Sequence, residues 1–377
     1  MASILDYIAW RGDLPLYCSP WTPVDSLIMA NIVYNDLGSE AESSMGIMLR
    51  DIQPSTEPDT VFARQWRSLL DAAANTVRYG SIRLHDFVNV VDDQREMQFS
   101  AVTANLPDGR TCICFRGTDT SIVGWKEDFT MAFETPVPAQ MEALTYLERI
   151  ALRTVGDLII TGHSKGGNLA IYASAHASSQ AQSRICSVYS FDGPGLDEDT
   201  MSSEGYRRIS RLVHSVIPQS SVVGLLLTYH PDYTVVASNA TGFWQHDAFT
   251  WQLDGPRFLE LGEVDRDSQL LDQTVHDWLR STTPKQRELF VDTLFGLLEA
   301  TGAHTLTELK ADKLRSALAI ITAGQAVDSE TTRMLLRLAG RFVSIGMGNL
   351  WDAVTQKTQG LIRDALNELE QQHNQEE

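Results

Sequence analysis

The sequence predicts an α/β protein in which a mostly parallel sheet is flanked by helices, with further helices at both ends of the chain. Three observations support this fold class. The stretch from Asp157 to Ala173 has the pattern of a buried strand, a sharp turn and a helix. Strand and helix patterns alternate around it, which is the order of βαβ units with right-handed crossovers. The two ends of the chain show helical spacing instead.

Composition and charge limit the classes of function. The chain has 377 residues, enough for one large domain with an appendage. It is 43% hydrophobic and 21% charged, which is typical of a globular protein. A formal charge of -19 without a basic stripe excludes a nucleic-acid partner. No apolar run approaches the ~18 residues of a membrane-spanning helix, so we expect at most peripheral contact with lipid.

The cysteine pattern and the absence of metal motifs are equally informative. The four cysteines lie at spacings that fit no zinc site: Cys18, Cys112, Cys114 and Cys186. So few cysteines, and an N-terminus without a basic leader or a long apolar run, predict a cytoplasmic location. Neither H-E-x-x-H nor a Cys/His cluster occurs. We therefore expect no metal and no cofactor.

The N-terminal third changes from helical to strand-like spacing. Residues 1–75 are mostly helical in pattern, with Val24 to Tyr34 the clearest amphipathic helix, which we interpret as a packing element. Another helix is predicted from Phe62 to Tyr79. Two strand patterns, Met97 to Leu106 and Arg110 to Phe115, then flank a strong turn signal. These two strands predict a β-hairpin.

The central motif is Gly162-His163-Ser164-Lys165-Gly166, which matches the pattern G-x-S-x-G of a nucleophile elbow. A serine on so tight a turn from strand to helix brings the neighbouring backbones close, so the flanking positions tolerate only glycine. The amide after the serine and the helix N-terminus then face negative charge developing on a substrate. The alternative is an ordinary glycine-rich turn between a strand and a helix. A P-loop is excluded because the order Gly-Lys-Ser/Thr is absent.

Features on both sides of the elbow favour the catalytic interpretation. Upstream, the hairpin leads into Arg116-Gly117-Thr118, a loop where an acyl hydrolase places a second donor to the oxyanion. Downstream, a buried strand ends in Asp192, and two further strand patterns precede His246, 82 positions after Ser164. Nucleophile, acid and histidine thus follow one another in the order of serine hydrolases built on such a sheet.

Three segments together carry a family resemblance: Phe115-Arg116-Gly117-Thr118 followed by Trp125 and Asp128, Gly162-His163-Ser164-Lys165-Gly166-Gly167, and Phe191-Asp192-Gly193-Pro194. They resemble the class 3 (fungal-type) lipase branch of the α/β-hydrolases. More closely, the elbow lysine and the segment Gln245 to Phe249 resemble an uncharacterised bacterial family of lipase-like proteins. The resemblance covers about residues 80 to 255, and it implies an α/β-hydrolase fold.

The resemblance also implies roles for single residues. Ser164 corresponds to the nucleophile and His246 to the general base. The backbone amides of Thr118 and Lys165 correspond to the oxyanion hole, and the Thr118 hydroxyl is expected to add a further donor. The implied activity is cleavage of a carboxylic ester, with a small-molecule or lipid ester as substrate, through an acyl-enzyme on Ser164.

The catalytic acid departs from the family pattern. Class 3 lipases carry it in a segment that matches Gln219 to Val223 here, and this chain has Ser221 where aspartate is expected. Two substitutes are available. Asp192 ends the preceding strand, and Asp232 lies in the loop before the strand that leads to His246. We favour Asp192, for which the alternative interpretation is a cap on the Gly-Pro-Gly turn that follows it.

Several side chains near the motifs have structural interpretations. His246 can be a histidine held in an aromatic pocket, and His163 is expected to be structural and to point away from the site. Lys165 can favour an anionic substrate or form an ion pair with Asp119 or Asp128. We expect Arg116 to pair with Asp128 and so to hold the oxyanion loop, the segment Arg116-Gly117-Thr118.

The missing acid also favours a second class of function, a non-catalytic binding or scaffold protein. An acyltransferase or a thioesterase would use the same residues as a hydrolase.

Strand signals stop at about residue 267. A helix with a capping hydroxyl and a proline at its first position begins at Thr283-Pro284. Helical patterns follow from Leu306 to Ala323, from Ser329 to Ile345 and from Leu350 to Leu369. We therefore predict a hydrolase domain over residues 1–265, with a helical part at 1–80, and a C-terminal helical region over 266–377 that caps the sheet or forms a small bundle.

Overall fold

The computed structural model describes residues 2–53, 60–119, 122–131, 134–221, 223–225, 227, 230–266, 268–269, 283, 285–288 and 291–292. Within these residues the chain is a mixed α/β protein built on a sheet of nine strands, ordered β1-β2-β3-β4-β5-β6-β7-β8-β11. The strands are β1 Ile47–Met48, β2 Arg83–Asp92, β3 Met97–Asn105, β4 Thr111–Phe115, β5 Leu158–His163, β6 Ile185–Phe191, β7 Val213–Pro218, β8 Tyr233–Val236, β9 Leu253–Asp254, β10 Arg257–Phe258 and β11 Glu260–Leu261.

Parallel pairing is confined to the centre of the sheet. Strands β4 to β8 pair in parallel with their neighbours, and the pairs at both edges are antiparallel. Strands β9 and β10 form a separate antiparallel pair. Parallel neighbours need a crossover element between them, which explains why helices intervene from β4 onward, whereas β3 and β4 are joined by a tight turn. The predicted hairpin is therefore confirmed.

Helices cover both faces of the sheet. They are α1 Ile4–Arg11, α2 Pro23–Ile32, α3 Gly38–Glu42, α4 Val61–Ala74, α5 Ile122–Thr130, α6 Pro138–Arg153, α7 Lys165–His176, α8 Ser179–Gln182, α9 Glu198–Ser202 and α10 Glu204–Ile209. Alternate residues of one strand point to opposite faces. Cys112 and Cys114 of β4 accordingly pack with α1, α2 and α4, whereas Ile113 and Phe115 pack with α6 and α7.

Helix α2 lies across the sheet and is buried on nearly all sides, although its pattern predicted an amphipathic helix. Its capping box joins Thr22 and Asp25. The Asp25 carboxylate is fully buried and accepts two hydrogen bonds from Arg78, the shorter at 2.6 Å, and one from Tyr79. A buried charge needs such a partner, and Arg78 supplies it. This ion pair fixes the first turn of α2, and Tyr34 lies beyond the other end of the helix, after Ile32 and Val33.

One predicted helix is shorter than expected, and one strand was not predicted. Helix α4 ends at Ala74 rather than at Tyr79, and β2, which the sequence did not predict, begins at Arg83. Strand β2 has a bulge between His85 and Val88, where Asp86 has a φ of +53°. An extra residue in one strand interrupts the regular alternation of side chains between the two faces of the sheet. For this reason the sequence pattern did not predict the strand.

The described part of the C-terminal region is small. Residues 285–288 are helical, and the Thr283 hydroxyl accepts a hydrogen bond of 3.3 Å from the Gln286 amide, as expected of a capping residue. The other predicted C-terminal helices and the domain boundary at 265 lie in or beside residues outside the described ranges. Among the described helices, none has the length and apolar character needed to cross a bilayer.

Candidate active site

Ser164 occupies the turn between β5 and α7 and has a φ of +58° and a ψ of -135°. A non-glycine residue in this region is strained, and such strain is concentrated at functional sites. The glycines on either side allow the turn. A Cβ at Gly162 would lie 2.0 Å from the carbonyl oxygen of Gly166, and one at Gly166 would lie 2.2 Å from that of Phe115. The serine is thus held at the carboxyl end of the central strands.

His246 and Asp192 continue from Ser164 in one hydrogen-bonded chain. The imidazole Nε2 of His246 lies 2.9 Å from Ser164 Oγ, and its Nδ1 lies 2.6 Å from Asp192 Oδ2. A carboxylate can only accept, so Nδ1 carries the proton and donates it. Nε2 then accepts the hydrogen bond from the Ser164 hydroxyl. This is the arrangement of a general base poised beside a nucleophile.

Asp192 is fully buried at the end of β6, with a φ of +47°. Its backbone amide donates to Val216 in the neighbouring strand at 2.8 Å. Its second carboxylate oxygen accepts from the Ser221 hydroxyl at 2.5 Å and from the Gly224 amide at 3.1 Å. Ser221, where the resemblance to class 3 lipases led us to expect an acid, therefore donates to the carboxylate that contacts His246. Both oxygens of Asp192 have partners, as a buried carboxylate requires.

The alternative acid lies elsewhere. Asp232 is exposed immediately before β8. Burial lowers the pKa of His230, against the charge of Asp232, and burial together with that charge raises the pKa of Tyr206 to about 12. Of the two candidate carboxylates, Asp192 is the one that the structure brings to His246.

His246 ends a 3-10 helix, Gly242–His246, and its side chain is 18% exposed. The preceding carbonyl, that of Gln245, accepts a 2.7 Å hydrogen bond from the indole of the buried Trp251. The carbonyl of His246 itself lies 2.8 Å from His163 Nε2, and the two imidazole rings are 4.8 Å apart. His163 thus contacts His246, and the expectation that it points away from the site is wrong.

The oxyanion loop runs directly against the elbow. A Cβ at Gly117 would lie 2.6 Å from the His163 carbonyl oxygen and 2.8 Å from Ser164 Cβ. Lys165 is the first residue of α7, so its amide is one of those without an intrahelical partner. The Thr118 hydroxyl donates to Asp128 at 2.7 Å. This hydroxyl therefore serves Asp128, and the expectation that it adds a donor to the oxyanion hole is not met.

The side chain of Lys165 is 1% exposed and belongs to the interior. Its Nζ donates to Glu127 of α5 and to the carbonyl of Gln98, both at 2.9 Å, and lies 3.7 Å from Asp128. Glu127 also accepts from the amides of Gln98 and Ala139 at 3.0 and 2.9 Å. An ammonium enclosed in this way does not face a substrate, so of the two predicted alternatives for Lys165 the structure supports the ion pair, with Asp128 as one partner, and not the anion-binding role.

The predicted ion pair between Arg116 and Asp128 does not form. Arg116 lies 3.5 Å from Asp119, not beside Asp128. Asp128 instead contacts Thr118 and approaches Lys165. Burial raises the pKa of Asp128 to about 6, and the positive charge of Lys165 acts in the opposite direction. The acidic residues of α5 thus connect the two predicted oxyanion donors, Thr118 and Lys165, through their side chains.

Two contributors to the site carry no local signal in the sequence. Glu127 is 38 positions from Lys165, and Tyr34 lies 129 positions from His163, whose Nδ1 it contacts at 3.3 Å. Glu127 stands beside the predicted Asp128, which was the nearest hint. Tyr34 falls at the end of a helix that we interpreted as a packing element.

No group of three or more metal-ligating side chains occurs among the residues for which the structure is described.

The comparisons with known proteins place the chain in a family. The model of the Mbeg1-like family matches residues 73–296, more than half of the chain, and the protein belongs to this family. One similar solved structure is titled a crystal structure of M37 lipase; it is 14% identical, with a TM-score of 0.36, over 55% of this chain and 70% of that chain. No curated protein matches the chain.

Proposed function

We propose that this member of the Mbeg1-like family is a serine hydrolase with the α/β-hydrolase fold that cleaves a carboxylic ester through an acyl-enzyme on Ser164. The observation that carries the proposal is the continuous chain of hydrogen bonds from Ser164 through His246 to Asp192, at 2.9 and 2.6 Å. Membership of the family and the strained serine at the strand end agree with it.

The first half of the reaction forms the acyl-enzyme. His246 Nε2 takes the hydroxyl proton while Ser164 Oγ attacks the ester carbonyl carbon. Asp192 holds the other imidazole nitrogen and stabilises the imidazolium that forms. The oxyanion of the tetrahedral intermediate faces the backbone amides of Thr118 and Lys165. The bond to the alcohol oxygen then breaks, and the imidazolium returns the proton to the leaving alcohol.

The second half regenerates the enzyme. His246 takes a proton from water, the resulting nucleophile attacks the acyl carbon, and the intermediate expels Ser164 Oγ, which recovers the proton. The products are a carboxylic acid and an alcohol. Transfer of the acyl group to another acceptor, or cleavage of a thioester, would use the same groups. Hydrolysis is the simplest proposal because water needs no binding site of its own.

The scaffold alternative depended on the serine at position 221. The hydrogen bond from Ser221 to Asp192 removes that argument, because the chain has an acid that contacts His246 and Ser221 serves this acid. A protein without catalysis would also have no use for a serine in a strained conformation beside an imidazole. We also propose residues 1–265 as the hydrolase domain, residues 266–377 as a helical region that caps the sheet or forms a small bundle, and the cytoplasm as its location.

A fluorophosphonate probe tests the proposal, because it reacts with a serine activated by a neighbouring base. We expect one label on each folded wild-type chain and none on Ser164→Ala. The control is Ser187→Ala, which removes a hydroxyl that bonds the carbonyl of Cys186 and the Tyr189 side chain, and it should label like the wild type. A folded wild-type protein that takes no label at Ser164 would refute the acyl-enzyme. A panel of nitrophenyl esters of increasing chain length then separates small-molecule from lipid substrates.

A further inference from the structure

Tyr34 and His163 form a second chain of hydrogen bonds beside Ser164. It ends on the backbone of His246, whereas the first chain runs through the His246 side chain. His163 Nε2 lies 2.8 Å from the backbone carbonyl oxygen of His246, and His163 Nδ1 lies 3.3 Å from the Tyr34 hydroxyl. His163 is 7% exposed, so both contacts are largely shielded from water. The proposed reaction assigns no role to either residue.

The partners determine the protonation state of His163. A carbonyl oxygen can only accept, so Nε2 carries a proton and donates it to His246. Burial lowers the pKa of His163 to about 3, and the charge of His246 adds to that effect. The ring is therefore neutral, and its unprotonated Nδ1 accepts. Burial raises the pKa of Tyr34 above its ordinary value, so its hydroxyl keeps the proton that it donates to Nδ1.

Tyr34 also contacts the oxyanion loop. Its ring is stacked on Trp66, with the centroids 4.3 Å apart and the planes 15° apart, which fixes the direction of the hydroxyl. The backbone of Gly117 hydrogen-bonds this hydroxyl and lowers the pKa of Tyr34 against the larger effect of burial. A Cβ at Gly117 would lie 2.3 Å from the hydroxyl oxygen. The same hydroxyl thus touches the loop on one side of Ser164 and the elbow histidine on the other.

We infer that Tyr34 and His163 are positioning residues for the proposed hydrolysis: they hold the backbone of His246 and the Gly117 loop in register on opposite sides of Ser164. The inference rests on the proposed function. Catalytic groups must be held within a fraction of an ångström, and their supports must be rigid. A neutral His163 suits this place, since a charged ring against His246 would oppose the imidazolium that forms during acylation.

Three variants test this positioning role of Tyr34 and His163. The measurement is the second-order rate of fluorophosphonate labelling. Tyr34→Phe removes one hydroxyl and keeps the ring on Trp66; we expect labelling to slow about fivefold, the value of one ordinary hydrogen bond. His163→Phe removes both hydrogen bonds, and we expect it to be slower by about 100-fold, as for a misplaced base. His163→Gln keeps an amide donor for the His246 carbonyl and should recover most of that loss.

The matched control is Tyr206→Phe, which breaks another tyrosine–histidine hydrogen bond, the 2.6 Å contact with His230, and should leave the labelling rate unchanged. The final extent of labelling reports folding separately, so a folded variant reaches one label per chain however slowly. Should His163→Phe misfold, Tyr34→Phe and His163→Gln decide, because both keep the volume of the native side chain.

The outcomes separate the two proposals. A wild-type protein that takes no label refutes the proposed function. If the wild-type protein labels at Ser164 and the labelling rates of Tyr34→Phe and His163→Phe are unchanged, the positioning role is refuted. The proposed hydrolase function is then unaffected. If His163→Gln is folded and as slow as His163→Phe, the hydrogen bond to the His246 carbonyl is not what His163 contributes, and the inference fails at that step.

Discussion

The two sides of Ser164 are held by different chemistry. On the histidine side, one buried carboxylate, Asp192, accepts directional hydrogen bonds from His246, Ser221 and an amide. On the oxyanion side, a buried ion pair between Lys165 and Glu127 joins α7 to α5. In the proposed reaction the first arrangement supports a group that changes its protonation, whereas the charges of the second arrangement stay as they are. Substitutions on the histidine side should therefore change turnover most, and those on the oxyanion side should change stability most.

The largest expected effect is on the histidine side. Asp192→Asn keeps the shape of the acid and removes its charge, so the imidazolium loses its support and the Nδ1 proton its acceptor. We expect turnover of a nitrophenyl ester to fall by about 10⁴. Asp232→Asn, a change of the other candidate acid, is the matched control and should keep full turnover. Equal activity of the two variants would remove Asp192 from the proposed triad.

The next effect is on the oxyanion side and concerns stability. Lys165→Met leaves the carboxylate of Glu127 buried without its cation, and we expect the free energy of unfolding to fall by about 3 to 5 kcal/mol. Unfolding in urea measures it. The double variant Lys165→Met/Glu127→Gln should recover part of the loss, since no unpaired charge remains. Lys126→Met breaks the more exposed pair with Glu96 and should cost at most about 1 kcal/mol. A Lys165→Met protein as stable as the Lys126→Met protein would contradict the comparison.

The pH dependence of stability sharpens the oxyanion side further. The pKa of Asp128 is raised to about 6 in the folded protein from an ordinary value of 3.8. The folded state therefore binds a proton more tightly than the unfolded state, and this carboxyl contributes stability below about pH 4 that is lost as the pH rises through 6. The full contribution is at most about 3 kcal/mol.

Urea unfolding between pH 4 and 7 checks this dependence by comparing the wild type with Asp128→Asn. The variant should lose less stability than the wild type as the pH rises. Asp232→Asn alters an exposed carboxyl and should follow the wild-type curve. Parallel curves for Asp128→Asn and the wild type would show that Asp128 is not the group responsible.

The smallest effect concerns the Thr118 hydroxyl. Thr118→Val removes the hydrogen bond to Asp128 but keeps the backbone amide, so we expect turnover to fall only about fivefold, the value of one hydrogen bond. Loss of a direct oxyanion donor would cost about 10² to 10³ instead. The rate of ester hydrolysis decides between these values, and Thr118→Ser, which keeps the hydroxyl, should behave like the wild type. A loss of 100-fold in Thr118→Val would return the hydroxyl to the oxyanion hole.

The fold was predictable where one local period dominates. The β3–β4 hairpin and the strand–turn–helix at Ser164 follow from alternation, turn residues and glycines that act within a few positions. Strand β2 was not predicted, because the bulge at Asp86 interrupts its alternation of side chains. The burial of α2 on nearly all sides was not predicted either, because it depends on Arg78 neutralising Asp25 from 53 positions away.

The candidate site was predictable where its residues have a local signal in the sequence. Ser164 was apparent because the turn that carries it needs glycines on both sides, and Asp192 and His246 were apparent because they follow successive strand patterns in the order expected of this fold. The contact of Lys165 with Asp128 was among the predicted alternatives, but its closer partner Glu127 was not, and Arg116 pairs with Asp119 rather than with Asp128. Glu127 of α5 reaches Lys165 of α7 from 38 positions away along the chain, and no local spacing of charges specifies that contact.

By itself, the sequence determined that a serine sits on a tight turn between a strand and a helix, because backbone sterics there depend only on Gly162, Ser164 and Gly166. Only the tertiary structure decided which acid meets His246 and what His163 does. The parallel register that sets Phe191 opposite Val216 brings Asp192 and Ser221 together. Helix α2 brings Tyr34 to His163. Such contacts depend on how distant segments align in space, and no local spacing of residues specifies that alignment.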